Sequence, residues 1–333
     1  MATIKDVAAR AGVSVGTVSR VLANNQTVKQ PLREKVSDAV AELGYKPNLA
    51  ARALRTNRID VIGVIVPDIT NPFFAQIAKE IEIQAADMGH SVMLANTHDD
   101  QQHEAKQISA LLDRAPRGII VIAATDNGNF APETDIPIVA LDRPFGDFAF
   151  VSTDHEAAAA LIADHICDLG VERVAYIAGP QSTQVARVRK AGFVNRISER
   201  NNAGSRVELQ IEEALFDYAS GENIARRLLS LPMDQRPHAI VAASDQQAIG
   251  ALRAALDLKL RVPDDVLITG FDDIALASLV VPRLTTIRQP SSELARRALE
   301  LVLDPTELRN TSSLLLPGEL IVRGSSGGPR KSV

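Results

Sequence analysis

The sequence predicts an all-α head followed by an α/β body made of two doubly wound parallel-sheet lobes. Three observations carry this. Up to Gly44 the apolar residues fall at helical spacing in three short stretches. From Asp60 the pattern changes to near-continuous apolar runs, DVIGVIVPD, SVMLAN, GIIVIAA, PIVALD, RVAYIAG, AIVAAS and DVLITGFD, with amphipathic helical stretches between most of them. Such runs mark strands buried on both faces of a parallel sheet, and β–α alternation winds that sheet doubly. A break near Val151 divides the remaining length into two lobes.

Ile4, Val7, Ala8 and Ala11 make one face of the first helix. Thr3 is its cap, with Asp6 standing where a capping box has Glu, and Gly12 supplies the left-handed stop. Ser14 caps the next helix, and Val13 and Val18 sit where a hydrophobic staple packs. Val18 and Val21 then face inward, leaving Val15, Gly16, Thr17, Ser19 and Arg20 outward. Two short helices around a glycine turn, with small polar residues and an arginine on the second, describe a helix-turn-helix; the alternative is a plain helical hairpin. A third amphipathic helix runs from Pro31 to Leu43, and Lys29 and Gln30 cap it poorly.

Charge divides the chain the same way. Net charge is −5, yet residues 1–60 hold 4 Lys and 6 Arg against 3 Asp and 2 Glu. A basic head on an acidic body fits a protein whose head alone meets phosphate, although a charged solvated face would look similar. No run approaches a membrane span and no signal-peptide pattern opens the chain, so the expected location is the cytoplasm. The single Cys167 reads as a small core residue, and the six histidines show no zinc spacing.

The stretches IKDVAARAGVSVGTVSRVL and GYKPNLAARALRTNR together resemble the lac-repressor (LacI/GalR) family of bacterial transcription regulators, and the similarity runs almost to the end of the chain. The resemblance implies a body of the type I periplasmic-binding-protein kind and a homodimer on double-stranded operator DNA. It implies a head over 1–46, a hinge over 47–59 and an effector-binding and dimerisation domain over 60–323. Within that domain, one lobe would take about 60–153 plus 288–313 and the other about 154–287 plus 314–323. Residues 324–333, which show no leucine heptad, are expected to be a flexible tail.

By the same resemblance Ser14, Val15, Gly16, Thr17, Ser19 and Arg20 contact DNA, joined by Asn48, Ala51, Leu54 and Arg55 of the hinge. Two turns after Pro47 are too few for a stable isolated helix, so the hinge should fold only against DNA. There Leu54 matches a side chain that wedges into the central base step of the minor groove. Val15 and Gly16 depart from the family's base readers, because neither offers a side-chain hydrogen bond. Readout is therefore expected to lean on Arg20, the hinge and DNA deformability.

In open parallel sheets ligands bind beyond the carboxyl ends of the strands, which for two lobes is the cleft between them. Polar and aromatic residues gather there. Carboxylates and guanidinium groups fork onto vicinal hydroxyls, and aromatic faces cover the apolar side of a sugar ring. By resemblance the effector contacts are Asn71, Phe74, Asp142, Arg143, Arg189, Phe216, Ser244, Asp272 and Gln289. The Asp142–Arg143 pair and Gln289 look most like a ribose-type pocket, whereas Ser244 replaces a commoner asparagine. Phe73 could be core, and Asp245 could equally cap its helix or touch ligand. The expected effector is a sugar, polyol or sugar derivative.

No G-x-G-x-x-G, P-loop or H-E-x-x-H is present, so neither enzymatic activity nor a cofactor is expected. A transport-type sugar receptor would want a leader. A corepressor-dependent regulator, in which ligand strengthens DNA binding, stays open.

Overall fold

A computed structural model describes residues 2–22, 28–45, 60–126, 132 and 134–327. Residues 46–59 lie outside this set, and with them the expected hinge contacts Asn48, Ala51, Leu54 and Arg55. The chain divides into two compact units, 1–59 and 60–333, each taken by itself below.

The head holds α1 (Ile4–Ala11), α2 (Val15–Leu22) and α3 (Gln30–Glu42). The capping box forms as expected: Thr3 N donates to Asp6 Oδ2 at 2.7 Å and Asp6 N to Thr3 Oγ1 at 3.4 Å. Gly12, at φ 66°, ends α1 in the left-handed region where a side chain would be strained. Thr17 N donates to Ser14 Oγ at 3.1 Å, so Ser14 caps α2. Lys29 gives α3 no side-chain cap. Val7, Ala8, Ala11, Val18, Val36 and Ala39 bury together as one small core.

The first lobe is a six-stranded sheet in the order β11-β5-β4-β3-β1-β2, built from β1 (Val61–Val66), β2 (Ser91–Asn96), β3 (Gly118–Val121), β4 (Ile138–Leu141), β5 (Ala149–Thr153) and β11 (Ser313–Leu316). All its pairings are parallel. Helices α4 (Pro72–Asp87) and α10 (Ser291–Leu303) cover one face, and α5 (Gln101–Leu112) the other. After α10 comes the short α11 (Pro305–Asn310).

The second lobe has a four-stranded parallel sheet, β7-β6-β8-β9: β6 (Arg173–Ala178), β7 (Glu208–Glu213), β8 (Ala239–Ala242) and β9 (Leu267–Thr269). Here α6 (His155–Asp168) and α7 (Gln184–Asn202) pack on one face, α8 (Tyr218–Leu229) and α9 (Asp245–Asp257) on the other. β10 (Thr286–Arg288) pairs antiparallel with β12 (Glu319–Ile321), and isolated bridges join Thr285 to Thr269 at the end of β9 and Arg288 to Asp272 beyond it.

Two expectations need correction. β11 pairs with β5 through Leu316, so the last return to the second lobe comes after Leu316 rather than at 314. The tail is not free from 324. Ser325 and Ser326 are buried, Thr285 N donates to Ser325 Oγ at 2.8 Å, and Ile268 N donates to Ser325 O at 2.9 Å. Ser325 satisfies backbone groups that β9 and the chain leading into β10 would otherwise bury unpaired.

Candidate DNA-reading helix and effector cleft

On α2 the side chains of Val15 and Arg20 are exposed, as is Gly16, while Thr17 and Ser19 are half-buried. Thr17 Oγ1 lies 2.9 Å from Ser14 Oγ, which engages both hydroxyls with each other. Arg20 Nε donates to Gly16 O, one turn back, at 3.3 Å. The outward face thus offers one guanidinium among small side chains, a shape that admits a close approach to base edges.

In the body, eight of the nine expected effector residues line one cavity at the carboxyl ends of the strands: Asn71, Phe74, Asp142, Arg143, Arg189, Phe216, Ser244 and Asp272, together with Phe73 and Val185. They come from both lobes. Gln289 does not line it; its amide lies behind Asp272, donating to Oδ1 at 2.7 Å, and accepts from Thr153 Oγ1 at 2.7 Å. The cavity is about 20 Å³, room for one water-sized body and far short of a sugar ring. A sugar can enter only when the lobes part or these side chains turn.

Local structure places each group. Asn71 caps α4, its Oδ1 accepting from Phe73 N at 3.0 Å, which leaves the amide nitrogen as a donor. Ser244 caps α9 through a 3.3 Å bond from Gln247 N. Its hydroxyl is therefore partly committed where an asparagine would have two ends free. Phe216 lies over the end of β6 because residue 179 is glycine: a Cβ there would fall 2.0 Å from the ring. The two aspartates, one from each lobe, both sit at positive φ, Asp142 at 63° and Asp272 at 117°. Non-glycine residues hold such angles at a cost of roughly 1–3 kcal/mol each, which surrounding contacts must offset.

Those contacts are ionic and buried. Arg189 Nη2 lies 3.2 Å from Asp272 Oδ1, its Nη1 donates to Ala243 O at 2.7 Å, and its guanidinium covers Phe271 at 3.8 Å from the ring centre. Arg143 Nη1 donates to Ala123 O and Ala124 O at 3.1 Å each, and its guanidinium stands 5.2 Å over Phe74. Arg143 Nε is buried without a hydrogen-bond partner among the described residues, standing 4.0 Å from Asp142 Oδ2. Burial raises the Asp142 carboxyl, but the hydrogen bond from His155 and the charges of Arg189 and Arg143 outweigh it and hold the group below its ordinary value. Burial pushes Asp272 up to about 6, against Arg189 and the Gln289 bond. Asp126 and Arg187 pair across the lobes at 2.8 Å.

Asp245 neither caps α9 nor lines the cavity. It is fully buried, accepting from Ile274 N at 2.9 Å and from Thr286 Oγ1 at 2.5 Å, so it fixes the segment that carries Asp272. Burial, then the neighbouring Asp272 charge, drives its carboxyl well above the usual range. Sequence reasoning also missed His155, Phe271 and Thr153. The strand-end rule would have found His155 had AFVST been read as a strand, since it lies two residues past Thr153.

A helix-turn-helix head joined to a two-lobed α/β body with a polar cleft at its strand ends defines a DNA-binding regulator that responds to a small molecule. The comparisons agree. Residues 3–48 match the bacterial regulatory proteins of the lacI family, and 163–326 match a periplasmic binding protein-like domain. The ribose operon repressor of Halalkalibacterium halodurans is 34% identical over 337 residues, covering 100% of this chain and 99% of the relative. The HTH-type transcriptional repressor CytR of Escherichia coli is 34% identical over 333 residues, covering 98% and 96%. Among solved structures, a lac repressor dimer bound to operator and the anti-inducer ONPF superposes with a TM-score of 0.80 at 30% identity, covering 98% and 99%. The chain belongs to the lacI family and is a DNA-binding transcriptional regulator of the repressor type.

Proposed function

We propose that the chain binds a palindromic operator as a homodimer and is released when a small sugar, polyol or sugar derivative occupies the cleft. The carrying observation is the meeting of two carboxylates and two guanidinium groups from both lobes around one cavity, walled by Phe73, Phe74 and Phe216. Paired acids and bases of this kind leave the site near electrical balance, which suits a neutral polyhydroxyl ligand better than a strongly charged one. The repressors of ribose operons among the relatives, and a structural relative complexed with D-xylulofuranose at 25% identity, support a pentose-sized effector.

The small cavity supports a clamp that opens to load and closes on its ligand. Effector binding would change how the lobes meet and disfavour the operator-bound arrangement. A hundredfold loss of operator affinity asks for about 2.7 kcal/mol of coupling, within the ordinary allosteric range. The expected DNA contacts are Ser14, Val15, Gly16, Thr17, Ser19 and Arg20 of the head and Asn48, Ala51, Leu54 and Arg55 beyond it.

A thermal-shift screen of pentoses, hexoses, polyols, sugar phosphates and nucleosides tests this, since a ligand of the folded state raises its melting temperature. Pentoses should give the largest shifts, and the best of them should dissociate an operator complex. No shift from any neutral sugar refutes the effector assignment.

A further inference from the structure

The cavity-lining residues do not hold themselves in place. Behind them runs a chain of buried hydrogen bonds through the crossings between the lobes, and each aspartate of the cleft has its own partner on a crossing. For Asp272 that partner is Gln289, itself held by Thr153. For Asp142 it is His155, the first residue of α6, which lies just past the first crossing and is 5% exposed.

His155 touches both lobes. Its Nε2 is 3.2 Å from Asp142 Oδ1 at the end of β4, and its Nδ1 is 3.3 Å from Arg189 Nε on α7. A guanidinium nitrogen only donates, so Nδ1 must accept, and the ring proton must sit on Nε2, where it donates to Asp142. A single neutral tautomer therefore satisfies both neighbours. The ring packs on Phe271, centre to centre 5.7 Å, the same ring that Arg189 covers. With Nε committed to His155, Nη1 to Ala243 O and Nη2 to Asp272, Arg189 has one orientation left.

We propose that His155 is a positioning residue of the effector response: its Nε2–H imidazole ties Asp142 of one lobe to Arg189 of the other and so aims both at the ligand. This rests on the cleft being the effector site. The groups that bear on the ring are Asp142 from β4, Arg189 from α7 and Asp154 from the crossing, with Arg143 and Asp272 one bond further out. A second ring proton would set an N–H against the Arg189 N–H and break that bond. Burial first, then Arg189, holds the imidazole pKa below its ordinary value, so the tie stays closed at neutral pH.

The experiment uses the full chain labelled with 15N-histidine, and His155→Gln assigns the resonance. At pH 7.5 His155 should appear as the neutral Nε2–H tautomer, and it should remain neutral near pH 6.5, where an ordinary imidazole is about half charged. Calorimetric titration with D-ribose then compares wild type, His155→Ala and His155→Gln. The alanine variant should bind roughly ten- to a hundredfold more weakly, as expected when a buried charge-assisted pair is broken. Glutamine keeps a donor for Asp142 and should recover part of the loss at an unchanged melting temperature. An Nδ1–H tautomer, an imidazolium at pH 7.5, or equal ribose affinity in wild type and the alanine variant overturns the proposal. Should D-ribose bind none of the three, it is the choice of ribose as effector that fails, while the tautomer still decides the place of His155.

Discussion

Replacing Asp272 by asparagine should make this protein more stable and less responsive at once. In the fold the Asp272 carboxyl is pushed from 3.8 to about 6 by burial, even with Arg189 and Gln289 drawing it down. A raised pKa means the protonated form is the favoured one. Its stabilising contribution is fully present below the unfolded value of about 3.9 and is lost as pH rises through about 6. At pH 7.5 the wild type therefore carries a disfavoured charge worth about 3 kcal/mol as an upper bound. The amide of Asp272→Asn keeps the shape without the charge. For a body of this size that corresponds to a rise in melting temperature of roughly 5–10 °C. The gap should narrow as pH falls through 6, to about half at pH 5, because the wild type then takes up its own proton. Scanning calorimetry of both proteins from pH 7.5 to 5 reads this, alongside the sugar-induced shift, which Asp272→Asn should lose. A variant less stable than wild type at pH 7.5, or a gap that does not move with pH, would refute the reasoning.

Three further outcomes are expected. Arg20→Ala should remove roughly 1–3 kcal/mol of operator discrimination in a gel-shift competition against random DNA, with head stability unchanged, because its 3.3 Å bond to Gly16 O is local to the helix. Thr3→Ala breaks the capping box and should lower head stability by about 1 kcal/mol in a urea titration; an unchanged midpoint would mean that α1 stands without it. Ser325→Ala leaves Thr285 N buried without its 2.8 Å partner, and should cost the body about 1–3 kcal/mol in the same measurement. A tail without structural weight would show no change.

How far each feature could be read from sequence follows from how local its cause is. Apart from Arg173 and Thr269 at their ends, β6, β8 and β9 are apolar runs buried on both faces and are legible directly. β7, ELQIEE, could not: it is an edge strand, mostly exposed, whose charges discourage further pairing and hide the strand pattern. AFVST ends in Ser-Thr and lacks the long apolar run of its neighbours, so neither the strand nor His155 beyond it is legible from local pattern. Residues after strand ends were found as candidates one by one, and eight of nine share a wall.

Neighbouring residues were enough to set the helix caps, the stops at Gly12 and Gly44, the buried strands and the residue types at their ends, because caps, φ angles and hydrophobic period act over a few positions. Which side chains meet was settled only when the chain packed. Packing turned Gln289 away from the cavity, sent Asp245 behind Asp272, tied Ser325 to the strands beside it, and set His155 between Asp142 and Arg189. Those pairs join residues 13, 17, 29, 34 and 40 positions apart, and buried polar atoms must find partners wherever the packed chain brings them.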